Sequence, residues 1–342
     1  MPAAMVFRRS SWIVAAAFAA VSAGACSHDS ARPAASVNAS SSAAAAAAAP
    51  AQIAIPPSDV APPAAQTGGF DGAKAYDQVA KLVAFGPHPP ASDGIRAVQS
   101  YIHAQLQGFG CAVDDDDFNA QTGIGNLAMK NIVAKISGTG QGIILLLTHY
   151  DTKRVDNFVG AEDGGSSTGL MLEMARVLCG RPKQANSVWI VFLDGEETQA
   201  QFTWVTSDSV YGSRELAARM SVAGDLKRVR AVILADMVGQ YGLRILRDSD
   251  APKWLNDTIW NTAARLGYQS VFVSQETSTE DDTLPFIERH VPAIDLIDLN
   301  DYINLGYWHT AQDTLDKISP RSLAAVGHVI LETLSALQAK FR

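Results

Sequence analysis

The sequence predicts an α/β protein with a mostly parallel central sheet and helices on both faces. Two observations indicate this fold class. Several short runs are apolar on both faces, as strands buried inside a sheet are. Segments with apolar residues at every third or fourth position separate these runs, which is the period of an amphipathic helix. Such alternation is typical of strands joined by helical crossovers.

The first half of the folded region contains two predicted helices and a predicted sheet edge. Residues 73–85 and 93–107 carry apolar side chains at helical spacing. Residues 111–118 and 131–136 alternate between apolar and polar side chains, which predicts antiparallel strands at one edge. The acidic run 114–117 lacks the glycine and the distal glutamate of a calcium loop, so we expect a solvated strand edge there.

The remaining elements alternate between buried strands and helices. The predicted strands are rich in Ile, Leu and Val and span residues 143–148, 188–193, 231–235 and 293–297. The predicted helices between and after them span residues 167–178, 211–220, 251–266 and 321–341. We therefore expect the strands to lie in one sheet that the helices cover.

The composition is that of a folded protein and excludes several classes. The chain has 342 residues and a mass of 36.3 kDa, and 47% of its residues are hydrophobic. Its 27 basic residues against 35 acidic ones give a net charge of -8, so no broad basic face is expected and nucleic acid is not a predicted partner. Three cysteines cannot form a disulfide framework in so long a chain.

The amino-terminal region predicts export. Residues 1–26 combine two arginines, an apolar run and small residues, as an export signal does. Cys26 ends a segment similar to a lipoprotein cleavage box, which predicts a periplasmic lipoprotein anchored to the membrane through Cys26; plain secretion is the alternative. Residues 27–68 are rich in Ala, Ser and Pro and predict a disordered tether, so the catalytic domain is expected at 69–342.

Acids and histidines follow the predicted strands, where open α/β sheets collect their ligands. His149 follows the first buried strand, Glu196 and Glu197 follow the second, and Asp236 ends the third. Asp163 and His309 lie in nearby loops. Each of these residues alone is more often a helix cap or a structural residue. Together, nitrogen and oxygen donors at one sheet edge predict a zinc site.

Ordered motifs extend this pattern from about residue 70 to the carboxyl terminus. They are Thr148-His149-Tyr150-Asp151, Phe158-Val159-Gly160-Ala161-Glu162-Asp163, Phe192-Leu193-Asp194-Gly195-Glu196-Glu197, Tyr211-Gly212-Ser213, Asp281-Asp282-Thr283-Leu284-Pro285-Phe286 and Trp308-His309-Thr310. The set resembles the zinc-dependent, animal-type glutaminyl-peptide cyclotransferases, which share their fold with the co-catalytic zinc aminopeptidases.

The resemblance implies a role for each matching residue. Asp163, Glu197 and His309 would bind one zinc ion per chain. Glu196 would be the acid/base, and Asp236 and Asp281 would form an acidic network with it. Trp204 and Trp308 would wall the substrate pocket. The implied reaction converts the N-terminal glutamine of a peptide or protein to pyroglutamate and releases ammonia.

Two other functions stay open on the sequence. In the aminopeptidases His149 and Asp236 bind a second metal ion and Asp163 bridges the two, so the ligands alone do not separate the families. A binding module that kept the fold without activity is the other alternative.

The sequence also departs from the animal cyclotransferases at several positions. Asp295 replaces a histidine, the segments 197–204 and 295–308 are longer, and Thr148 and Thr168 replace two half-cystines. Cys111 and Cys179 are predicted to be free thiols, although the sequence leaves a bridge between them open.

Overall fold

The computed structural model describes residues 55–342. The predicted export signal, 1–26, and the first part of the predicted tether, 27–54, lie outside the described residues.

A six-stranded sheet forms the centre of the domain. Its strands, in chain order, are β1 (Ala112–Thr122), β2 (Gly125–Ile136), β3 (Ile143–His149), β4 (Ser187–Leu193), β5 (Val229–Ala235) and β8 (Ala293–Leu296). The spatial order is β1-β2-β4-β3-β5-β8. Strands β3, β4, β5 and β8 run parallel, whereas β1 and β2 form an antiparallel hairpin at one edge. The predicted fold class and the predicted antiparallel edge are both confirmed.

Eight α-helices surround the sheet in the described part of the chain. They are α1 (Gly72–Val83), α2 (Asp93–Gly108), α3 (Gly165–Cys179), α4 (Tyr211–Ala223), α5 (Lys253–Leu266), α6 (Leu284–Ile287), α7 (Leu299–Asn304) and α8 (Pro320–Lys340). Side chains at helix starts accept hydrogen bonds from free backbone N–H groups, as Asp71 does for α1, Ser92 for α2 and Ser319 for α8.

The two faces of the sheet bury two separate cores. On β3, Ile144 and Leu146 pack with α1, α2, α3, α5 and α8 on one face. Ile143, Leu145 and Leu147 pack with α4 and α6 on the other. Consecutive strand residues point to opposite faces, which explains why these strands are apolar throughout. Helix α8 meets the length and composition of a membrane span, but 78% of its apolar window is buried inside the domain, as in a core helix.

The structure contains a small second sheet that the sequence did not predict. Strands β6 (Ile245–Asp248) and β7 (Phe272–Thr277) pair in parallel on either side of α5. Strand β6 has four residues and much of β7 is exposed, so neither presents the continuous apolar run that marked the other strands.

The start of the domain lies before the predicted boundary at residue 69. Single 3-10 turns form at Pro57–Asp59 and Ala64–Gln66. Asp59 Oδ1 accepts a hydrogen bond from Ser319 Oγ at 2.8 Å, and Thr67 is fully buried. Residues 55–68 are therefore part of the folded structure. The sequence of this segment shows neither a helix period nor a strand period. Only its composition was therefore informative, and that composition predicted a tether.

The expectation of free thiols is also wrong. Cys111 and Cys179 form a disulfide, with 5.3 Å between their Cα atoms and a sequence separation of 68. The bond joins the residue before β1 to the last residue of α3. Because it restricts the unfolded chain, a bond of this kind contributes about 2–4 kcal/mol to stability.

The acidic run lies on β1, the edge strand, as predicted. Asp115 pairs with Lys130 at 2.5 Å and with His103 at 2.6 Å, so the carboxylates mark a charged edge. Asp116 differs from the expectation of solvated side chains, since it is buried beside Arg219 Nε at 2.7 Å.

Candidate metal centre and active site

The carboxyl ends of the four parallel strands meet at one edge of the sheet, and the polar residues predicted from the sequence lie there. His149 is the last residue of β3, Glu196 and Glu197 follow β4, and Asp236 follows β5. The loop before α3 supplies Asp163, and the loop between α7 and α8 supplies His309. All six side chains are buried.

Asp163, Glu197 and His309 form the first ligand group. His309 Nε2 lies 3.2 Å from Asp163 Oδ2 and 3.2 Å from Glu197 Oε1. Both of these oxygens are buried and have no hydrogen-bond partner among the described residues. Buried acceptors are rarely left unpaired. One nitrogen and two carboxylate oxygens aimed at one point fit a zinc ion.

His149, Asp163 and Asp236 form a second group, and Asp163 belongs to both. His149 Nε2 lies 3.1 Å from Asp236 Oδ1, within hydrogen-bond distance, and 3.4 Å from Asp163 Oδ1. The structure therefore brings together both ligand sets that the sequence left open. They differ in that the second group contains a hydrogen bond between its members.

Asp151 fixes the backbone that carries the two glutamates. Its carboxylate accepts hydrogen bonds from the N–H groups of Glu196 at 3.1 Å and of Glu197 at 3.4 Å. Gly195, just before them, has a φ of 75°, and a Cβ there would lie 2.6 Å from Met129 Sδ. Only glycine fits this turn without displacement, so the loop directs both glutamates to the site.

Two buried residues that the sequence analysis missed support the first ligand group. Asp313 accepts hydrogen bonds from the N–H groups of Glu162 at 2.8 Å and of Asp163 at 3.2 Å, which fixes the loop that carries Asp163. Lys153 Nζ lies 3.3 Å from Glu197 Oε2 and is buried. Neither residue follows a strand directly, and no motif set them apart from ordinary surface charges.

Hydroxyl groups occupy the positions of the missing half-cystines. Thr168 Oγ1 donates to the backbone oxygen of His149 at 2.8 Å, and Thr148 Oγ1 donates to Ser167 Oγ at 2.7 Å. Strand β3 is thus joined to α3 by hydrogen bonds at this point.

A cavity of about 310 Å³ opens over the first ligand group. Both predicted wall residues, Trp204 and Trp308, line it. The Trp308 ring stacks on the His309 ring with 3.8 Å between centroids and 24° between planes. His309 itself has a φ of 54°, a conformation that a non-glycine residue keeps only where its surroundings hold it. The indole therefore forms a flat wall directly beside a residue of the first candidate ligand group.

The carboxyl groups around the cavity are strongly perturbed. Burial raises the pKa of Glu196 well above its usual value, and the nearby Asp281 and Glu197 raise it further. Burial and the charges of Asp236 and Asp282 raise the pKa of Asp281. Burial opposes ionisation of Asp163 too, but the nearby imidazoles of His149 and His309 favour its charged form and lower its pKa overall. Perturbed acids in a cleft are typical of active sites.

Asp295, where the resemblance implied a histidine, joins this acidic group. Burial raises its pKa well above the usual value, and the charges of Asp281 and Asp236 add to the effect. The charges of Asp236 and Asp281 thus both act on Asp295, and the network of Asp236 and Asp281 with Glu196 stays a prediction.

Comparison with known proteins matches this arrangement to a family. The profile of Peptidase family M28 matches residues 131–334. A glutaminyl-peptide cyclotransferase of Bothrops jararaca is 30% identical over 293 residues, which cover 72% of this chain and 77% of that protein. The solved structure of an Acidobacteriales bacterium glutaminyl cyclase is 37% identical with a TM-score of 0.75, covering 86% of this chain and all of that one.

Another solved structure bears on the alternative function. A solved Zn-dependent exopeptidase from Parabacteroides distasonis is 27% identical with a TM-score of 0.70, and covers 77% of this chain and 97% of that one. The predicted resemblance and the predicted fold family are confirmed. Because the family profile matches more than half of the sequence, the chain belongs to peptidase family M28.

Proposed function

We propose that the protein is a glutaminyl-peptide cyclotransferase, which converts an N-terminal glutamine to pyroglutamate and releases ammonia. The single observation that carries the proposal is the 37% identity to a solved glutaminyl cyclase over the whole of that chain. The site agrees with it, since Glu196, the Asp163–Glu197–His309 group and two indoles line one cavity.

The ligand group suits a zinc ion, which would polarise the side-chain carbonyl of the substrate glutamine as a Lewis acid. Asp163, Glu197 and His309 would hold it. Their two unpaired carboxylate oxygens are the observation that supports this assignment.

The chain's own residues then have distinct tasks. The cavity walls, Trp204 and Trp308, hold the flat glutamine side chain in the conformer that brings its Cδ atom next to the peptide's α-amine. The amine nitrogen attacks Cδ, and the bond from Cδ to the side-chain nitrogen breaks. Glu196 accepts the proton that the amine loses and donates it to the leaving nitrogen, which departs as ammonia. The reaction consumes no water.

The need for a free α-amine provides a direct test. A peptide that begins with glutamine should release ammonia with the purified protein, whereas the same peptide acetylated at its α-amine should not. Release from both peptides would indicate a side-chain amidase and would contradict the proposed attack by the amine.

An aminopeptidase is the second candidate, because the structure also contains the His149–Asp163–Asp236 group and a Zn-dependent exopeptidase is among the similar structures. In that case Glu196 would deprotonate water for attack on the peptide bond. The match to glutaminyl cyclases in both sequence and structure favours the first candidate.

We predict one tightly bound zinc ion per chain. In the first group the oxygens Asp163 Oδ2 and Glu197 Oε1 have no hydrogen-bond partner among the described residues, whereas in the second group His149 Nε2 and Asp236 Oδ1 already lie within hydrogen-bond distance of each other. Metal analysis after extensive dialysis should give a ratio near one, and His149→Ala should leave that ratio unchanged. A dialysed protein with two zinc ions would instead favour the aminopeptidase.

We further propose that the chain is exported and attached to the membrane through Cys26, or secreted if that residue is not lipidated. The Cys111–Cys179 bond supports export, since disulfides persist mainly in oxidising compartments. Fractionation of cells that express the full chain tests this, and recovery in the cytoplasm would contradict it. The partners in this proposal are the N-termini of peptides or proteins.

A further inference from the structure

We propose that Glu280 makes the enzyme selective for peptides with a lysine or arginine soon after the N-terminal glutamine, and disfavours those with an acidic residue there. The inference rests on the proposed function, because it concerns the part of a glutaminyl peptide that extends out of the cavity.

Glu280 lies at the opening of the cavity. It is one of six acidic residues that line this space, and the other five are Asp163, Glu196, Glu197, Asp236 and Asp281. Those five are buried, whereas Glu280 is exposed. Each of the five buried acids lies in or beside a ligand group, or beside another of the five. Glu280 is therefore the acid that meets the substrate beyond its first residue.

The structure holds the Glu280 carboxylate in place. Trp204 Nε1 donates a hydrogen bond to Glu280 Oε2 at 3.3 Å, and Thr206 Oγ1 donates to the same oxygen. Within residues 55–342 no hydrogen bond reaches the other oxygen, Oε1, so it can face a substrate cation. A fixed carboxylate loses less side-chain entropy on binding a cation than a mobile one does.

Its negative charge is not neutralised by the described protein. Among the described residues no lysine or arginine lines the cavity, and none lies within the 4.0 Å of an ion pair with Glu280. The nearby Arg214 donates instead to the backbone oxygen of Thr206. A substrate cation can therefore use this charge.

The geometry of a bound peptide decides which residues Glu280 meets. The first residue must place its side chain and its α-amine deep in the cavity, near Glu196. An extended chain advances about 3.3 Å per residue, so the second and third residues pass the opening. Like charges brought together there weaken binding, and opposite charges strengthen it.

Three peptides that differ only in the residue after glutamine test the inference: one with lysine, one with alanine and one with glutamate. For the wild-type protein we expect kcat/KM at low ionic strength to be about 10-fold higher for the lysine than for the glutamate peptide. This allows about threefold for each exposed charge pair. The ratio should shrink as salt is added.

Glu280→Gln is the matched variant, because its amide oxygen can accept both hydrogen bonds that now reach Oε2. Because both charge pairs involve Glu280, the variant should reduce the lysine-to-glutamate ratio by about 10-fold, to near one. Asp77→Asn, which removes an exposed acid on α1 away from the cavity, should leave the ratio unchanged.

The alanine peptide distinguishes a failure of the proposed function from a failure of the selectivity assigned to Glu280. If it is not cyclised, the proposed function fails. If it is cyclised but the wild-type ratio is near one, or Glu280→Gln keeps the wild-type ratio, the selectivity assigned to Glu280 is wrong.

Discussion

Glu196→Gln is expected to lower kcat for a glutaminyl peptide by about 10² or more, while zinc content and thermal stability stay close to those of the wild type. The substitution preserves the size of the side chain but removes the group that moves a proton from the amine to the leaving nitrogen. Glu196 lines the cavity and lies outside both ligand groups, so its loss should leave the metal site intact.

Metal content, thermal stability and turnover must all be measured on the same sample. Metal analysis and a melting curve show whether the variant is folded and loaded, and single-turnover kinetics show whether the chemical step is slow. A zinc-free variant, or one with nearly wild-type turnover, would mean that Glu196 is not the acid/base.

Glu197→Gln is expected to have the opposite signature, loss of zinc together with loss of activity. Glu197 Oε1 is one of the two unpaired oxygens that face His309 Nε2. Changes in residues that merely orient metal ligands weaken binding by 10–100-fold, so removal of a charged ligand should weaken it by more than about 10². Titration of the apo protein with zinc measures this affinity.

Lys153 supplies a control for misfolding. Its buried Nζ lies 3.3 Å from Glu197 Oε2, so Glu197→Gln leaves a buried cation without its partner and should cost about 3 kcal/mol of stability. The double variant Lys153→Met with Glu197→Gln removes that cation. It should regain stability without regaining zinc. Recovery of zinc binding in the double variant would show that Glu197 is not a ligand.

The sequence could predict the core of the site because, in a parallel sheet, a residue that directly follows a strand lies at a known edge of that sheet. His149, Glu197 and Asp236 each follow a buried apolar run, and parallel strands bring their carboxyl ends to one edge. His309 and Asp163 lie in loops that periodicity could not place relative to the sheet, so only the resemblance assigned them, with Glu197, to one zinc ion.

The supporting residues were harder to predict because their roles depend on contacts between distant segments. Asp313 accepts a hydrogen bond from the N–H group of Asp163, which lies 150 residues away in the chain. Nothing in the sequence around Lys153 indicates that it is buried beside Glu197. The Cys111–Cys179 bond was left open for the same reason, since sequence spacing does not report the distance between two cysteines.

Mass spectrometry can show directly whether the site cyclises N-terminal glutamine. One zinc-loaded sample is incubated with a glutaminyl peptide and a leucyl peptide together. If the protein is a glutaminyl-peptide cyclotransferase, the glutaminyl peptide loses the mass of one ammonia and keeps its length, while the leucyl peptide is unchanged. Shortened peptides would show an aminopeptidase, and no change in either would show a binding module. Both results would contradict the account.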